Sequence, residues 1–95
     1  MIIRIVSFES ALSEEEVIAV AKERADQFRA LPGLLQKYYV KLRKPSHYGG
    51  VYIWDSEESM SAYQESELAA SIAAAYKTVG APTVQVLDTL FQLRE

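Results

Sequence analysis

The chain has 95 residues with 10 basic and 13 acidic side chains, one histidine and no cysteine, giving a formal charge of −3. One domain spanning residues 1–95 fits this length and two do not. Without cysteine there is no disulfide, thiolate metal site or cysteine nucleophile, a transition-metal site would need several carboxylates around the single histidine, and the negative charge opposes general nucleic-acid binding.

No apolar run is long enough to span a membrane, and Arg4 interrupts the N-terminal one, so a cytoplasmic protein without a signal peptide is expected. Against the short length stand a hydrophobic content of 49% and three Phe, one Trp and six Tyr. A domain of this size buries only about 60–65% of its unfolded surface. With disulfides excluded and metal disfavoured, association is the remaining route to stability.

Residues 2–8 are rich in β-branched side chains and read as a strand that is apolar on both faces, hence covered on both. Ser13 and Glu16 form a capping box, with Leu12 and Val17 placed for a hydrophobic staple. The helix they open carries Val17, Val20, Ala21 and Phe28 on one face, with Arg24 as the polar exception, and stops before Pro32-Gly33. Residues 34–43 form a second strand. Leu34, Gln36, Tyr38, Val40 and Leu42 share one face, and Leu35, Lys37, Tyr39, Lys41 and Arg43 the other. A turn at 44–47 leads to a third strand, 48–54, antiparallel to the second. Asp55 or Ser56 caps a second helix bearing Met60 and Tyr63 on one face. Ser66 is placed to break it before a further helical stretch, Leu68 to Tyr76. Gly80-Ala81-Pro82 is expected to end that stretch, and 83–93 to form the last strand.

The order β-α-β-β-α-β with right-handed crossovers predicts an α+β, ferredoxin-like sandwich: a four-stranded antiparallel sheet with its helices on one face. The helices then leave the other, largely apolar face bare. At about 1.5–3 kcal/mol per large side chain, exposing about half a dozen would forgo roughly 10 kcal/mol, as much as a whole domain's stability. A homodimer joined through the sheet faces is expected on that ground.

The run from Leu31 to Trp54, with Pro32-Gly33 before the second strand, Gly49-Gly50 opening the third and Tyr52-Ile53-Trp54-Asp55-Ser56 closing it, resembles the dimeric α/β barrel superfamily. Met60-Ser61-Ala62-Tyr63 and the acidic start of its helix extend the likeness. Within the superfamily the chain is most similar to the YdhR-like putative mono-oxygenases, relatives of the antibiotic-biosynthesis monooxygenases. The resemblance implies two sheets forming a barrel and a pocket in each subunit. It also implies oxidation of electron-rich aromatic substrates by O₂ with no cofactor, metal or flavin. A haem-degrading branch uses an Asn, a Trp and an iron-ligating His. Trp54 resembles that Trp, but the chain has no Asn and its His lies in the turn between the second and third strands, which argues against haem degradation.

Trp54 and Tyr52, on one face of the third strand, are candidates to stack on a flat aromatic substrate, with ordinary core packing as the competing reading. Tyr38, Tyr39, Tyr52, Tyr63 and Tyr76 each offer a phenol; Tyr63, facing inward opposite the third strand, is the first choice for catalysis. His47 is the one side chain that ordinarily titrates near neutrality and hence the natural general base, unless it is simply a solvated turn residue. Lys37, Lys41, Arg43 and Lys44 form either an anion site beside Tyr39 or a charged edge that resists aggregation. Arg4 must pair, with Asp88 or Glu9, or face a pocket. Three functions compete. The first is a cofactor-independent monooxygenase on a small aromatic or quinone-like substrate in an apolar pocket. The second is a non-catalytic small-ligand-binding or stress-response dimer. A distant third, an RNA-recognition module, is opposed by the charge and by Gly50 at a stacking position.

Overall fold

A computed structural model describes residues 1–95. The elements are β1 (Ile2–Ser10), α1 (Glu14–Arg29), β2 (Leu34–Lys41), β3 (His47–Trp54), α2 (Glu57–Gln64), α3 (Glu67–Ala70), α4 (Ile72–Ala75) and β4 (Thr78–Asp88). The strands pair antiparallel in the order β2-β3-β1-β4. This is the expected ferredoxin-like sheet.

Local chemistry sets the helix ends. The Ser13 hydroxyl accepts from the Glu16 N–H at 3.2 Å, and the Ser13 N–H donates to the Glu16 carboxylate at 3.0 Å. This is the capping box that the sequence predicts. After α1 the chain turns at Gly33, whose φ of +80° suits glycine. A Cβ there would lie 2.2 Å from Ser59 Oγ and 2.5 Å from Asp55 Oδ1. The Gly33 carbonyl also accepts from the Asp55 N–H at 2.9 Å, fastening this turn to the start of α2. Ser66 breaks the second helical region as its sequence suggests, accepting from the Ala69 N–H at 3.2 Å. Ser71 breaks it again, its hydroxyl donating to the Leu68 carbonyl at 2.7 Å.

The last strand departs from expectation. It begins at Thr78 and ends at Asp88, so Gly80-Ala81-Pro82 lies within it rather than before it. The helical region ends at Tyr76, and Lys77 takes the left-handed turn with φ +47°. The register with β1 shifts between Ser7 and Glu9, and this irregularity absorbs the Gly-Ala-Pro segment. An edge strand tolerates the missing proline N–H. A second shift, between Leu34 and Gln36, turns Leu34 to face Trp54's side of the sheet instead of sharing a face with Tyr38.

The helices cover one face. Phe28, Tyr52, Trp54, Met60 and Tyr63 form one buried cluster there, and Phe8, Val17, Ala21 and Tyr76 another. The opposite face carries Ile3, Ile5, Val51 and Ile53, flanked by the exposed Tyr38, Val40 and Leu87. Only 11 of the 95 residues are buried, which leaves the single chain with a thin core.

Gly33→Ala and Gly80→Ala separate backbone strain from collision. Both glycines have positive φ, but nothing lies within 4 Å of a Cβ at Gly80. Urea unfolding should show a loss of about 1–2 kcal/mol for Gly80→Ala, the left-handed penalty alone. Gly33→Ala should lose clearly more.

Candidate functional site

A cavity of about 390 Å³ opens between α1 and strands β1, β2 and β3. Small residues make it. Ala21 and Ala25 on α1 face Gly49 and Gly50 on β3 across the gap. Gly50 has a second effect: a Cβ there would sit 3.0 Å from the Tyr52 ring and 3.2 Å from Lys37 Cε. Its absence lets the lysine stem lie along the sheet. The walls are mainly apolar, with Val6, Phe8, Val17, Ile72 and the rings of Tyr39 and Tyr52.

Lys37 reaches into this cavity. It lies beside Tyr52 across the β2–β3 pair, and Tyr39 lies beside Gly50. The Lys37 ammonium is 3.5 Å from the centre of the Phe28 ring, 4.3 Å from that of Tyr39 and 4.6 Å from that of Tyr52. It belongs to neither of the two ion pairs, Lys41–Glu14 and Arg29–Asp26. Burial, and secondarily the Arg24 guanidinium, pull its pKa down to about 7. The ring faces favour the cation and oppose that shift.

The phenols shift the other way. Burial first, then the neighbouring Tyr63, pushes Tyr52 far above the usual phenol range. Burial, with a contribution from Tyr39, raises Tyr76 to about 12, and burial also raises Tyr39 and Tyr63. The Tyr52 and Tyr63 hydroxyls are 3.4 Å apart, a weak contact. These phenols therefore stay protonated at neutral pH and can donate a hydrogen bond.

The candidate residues divide among four places. Tyr39 and Tyr52 line the main cavity. Tyr63 and Arg4 line a smaller one of about 160 Å³ under α3 and α4, which shares Val6, Phe8, Tyr52 and Ile72 with the first. The Arg4 guanidinium lies 6.0 Å from the Tyr52 ring centre. Neither Asp88 nor Glu9 pairs with it, and its buried Nε has no partner. Trp54 lines neither cavity. It is fully buried behind Tyr52, with the rings parallel within 2° and 6.3 Å apart. His47 lines a shallow dent at the β2–β3 turn beside Lys44, its Nδ1 2.9 Å from the Pro45 carbonyl oxygen. The fold thus does not bring His47 and Tyr63 together.

Sequence reasoning set Lys37 beside Tyr39 but read it as one of four similar cations. Only Lys37 turns inward, and the signal was its place on the strand next to the small Gly50 of β3, with the alanines of α1 across the gap. Arg24, the polar exception on α1, donates to Ser71 Oγ at 2.6 Å. No three His, Cys, Asp or Glu side chains stand together as metal ligands, and no helix is long and apolar enough to cross a membrane.

The family described as putative mono-oxygenase ydhR matches residues 3–95. No protein of curated function matches the sequence. Among solved structures, SnoaB, a cofactor-independent oxygenase from Streptomyces nogalater, superposes with a TM-score of 0.78 at 15% identity, covering 99% of this chain and 97% of that one. NE2512, a protein of unknown function from Nitrosomonas europaea, gives 0.77 at 18% identity over 99% and 93%. A putative antibiotic biosynthesis monooxygenase from Deinococcus radiodurans gives 0.75 at 15% identity over 100% and 98%. At such identities the likeness establishes the fold.

The buried amine should be visible in stability. Lys37 titrates at about 7 in the fold instead of its usual 10.5. Between those values the unfolded chain binds more protons, so stability should rise with pH from about 7 to 9.5. The raised phenols act against stability only above that window. Urea unfolding at several pH values should show the rise in the wild type and lose it in Lys37→Met. An equal rise in both proteins would show that the ammonium is solvated.

Proposed function

The chain belongs to the putative mono-oxygenase ydhR family, and from that membership and the tyrosine-walled cavity we propose a cofactor-independent oxygenase acting on a small aromatic or quinone-like substrate. The carrying observation is the cavity itself. Its volume of about 390 Å³ lies within the usual range for small-molecule sites. Its walls offer flat rings and few polar groups, which suits a planar, largely apolar ligand. The structural likeness to SnoaB, a cofactor-independent oxygenase, supports the same reading.

In the proposed reaction a phenol and O₂ give a quinone and water. The ionised phenol passes an electron to O₂, and the ring radical and superoxide join through a new C–O bond. The O–O bond then breaks as the ring carbon loses its proton, leaving the quinone and water. The protein's share is to hold the ring between Tyr39 and Tyr52, exclude water and stabilise the ionised substrate.

The functional unit in this reading is a homodimer joined through the open sheet faces. Its support is the row of apolar side chains there, with Tyr38 56% exposed in the single chain. A second reading, a non-catalytic ligand-binding dimer, draws on the position of His47 outside the cavity.

Oxygen-electrode assays with a panel of phenols and quinols should show uptake of one O₂ per quinone formed. Ala25→Phe, which fills the cavity from α1, should lower that rate at least about tenfold while the protein stays folded. Ligand binding without oxygen uptake would instead favour the second reading. Sedimentation should give a dimer for the wild type, and Tyr38→Lys should shift it to monomer by burying a charge at the joint.

A further inference from the structure

Lys37 is the one cavity group able to change charge near neutral pH. The other four lysines are exposed. Around the cavity, Tyr39, Tyr52 and Tyr76 are held protonated by burial, as is Tyr63 behind Tyr52. At the mouth Glu14 is committed to Lys41 at 3.0 Å. The neighbouring guanidinium groups are those of Arg24, Arg29 and, on the far side of Tyr52, Arg4. Lys22, also at the cavity, is exposed on α1.

The Lys37 amine has three aromatic rings for neighbours and no carboxylate. A lysine held only for structure would have its ammonium paired or in water. Here the side chain lines the open cavity, where a ligand's acidic group would be its first polar partner. We propose that Lys37 is the proton acceptor of the site: its free amine takes the hydroxyl proton of a planar hydroxy-aromatic ligand seated beside Tyr39 and Tyr52, and the resulting ammonium holds the phenolate. The ligand O–H bond breaks, the Nζ–H bond forms, and no electron leaves the ligand in this step. The ammonium–phenolate attraction and its charge-assisted hydrogen bond, both stronger in apolar surroundings than in water, must outweigh the cost of burying the two charges. The same phenolate is the form that gives an electron to O₂, so this role rests on the aromatic-ligand reading and supplies its base.

The test uses 2-naphthol, whose ionised form absorbs at longer wavelength than the neutral one. At about pH 8 the free dye is neutral and a Lys37 titrating near 7 is a free amine. Binding to the wild type should bring up the naphtholate band with no net proton released to a weakly buffered solution. The bound dye's apparent pKa should fall by at least one unit, about a tenfold gain in ionisation. Lys37→Met, checked for folding by circular dichroism, should bind the dye in its neutral form. Lys37→Arg should stabilise naphtholate but release one proton per dye bound, because its cation cannot accept one.

A naphtholate band undiminished in Lys37→Met, or neutral naphthol bound to the wild type, would overturn the proton role and leave the aromatic-ligand reading standing. No binding to any of the three proteins would remove that reading and this role with it. A naphtholate band without oxygen uptake would uphold the proton role and count against the oxygenase.

Discussion

Lys37, Tyr52 and Arg4 lie in one row across β2, β3 and β1, so a single ring stands between two cations on the helix side of the sheet. Neither cation has a carboxylate partner. Ring faces return about 0.5–2 kcal/mol per cation, whereas stripping an ion of water costs several. The row can therefore not be packed over completely. The helix layer closes over Trp54 with Met60 and Tyr63 of α2 but leaves a cavity at each cation, about 390 Å³ at Lys37 and 160 Å³ at Arg4. The site follows from charges that the core cannot absorb, and alanine and glycine on the facing elements give them room.

The other face of the sheet poses the opposite difficulty. It is apolar and lies in the open, while α1 to α4 and a thin core occupy the covered side. In the proposed dimer that face becomes an interface and the helix side keeps the ligand. Each side of the sheet then has its own task, and a substitution such as Tyr38→Lys acts on assembly without entering the cavity. The C-terminal residues Leu90, Phe91 and Leu93 are also exposed, beyond the end of β4.

Much of the fold was legible because local chemistry and periodicity agreed. The capping box at Ser13, the turn at Gly33 and the break at Ser66 each follow from a few adjacent residues. The last strand was not, because Gly80-Ala81-Pro82 signals a stop when read locally and only an edge position makes it tolerable inside a strand. Leu34 was misplaced for a similar reason: one register shift reverses the alternation on which face assignment depends.

The site was legible in part. Strand alternation put Tyr39 with Lys37 and Tyr52 with Trp54, and all four lie on the helix side of the sheet. Alternation cannot tell a cavity wall from the layer behind it, so Trp54 reads the same as Tyr52 until α2 is packed against them. Nor can it distinguish Lys37 from Lys41, since a charge facing water and one facing an internal space have the same spacing. That difference belongs to the helix opposite. The direct measurement is therefore a ¹³Cε NMR titration of the five lysines, Lys22, Lys37, Lys41, Lys44 and Lys77. The account predicts that one resonance, assigned through Lys37→Arg, has a midpoint near 7. A Lys37 midpoint near 10.4 would place its ammonium in water and contradict it.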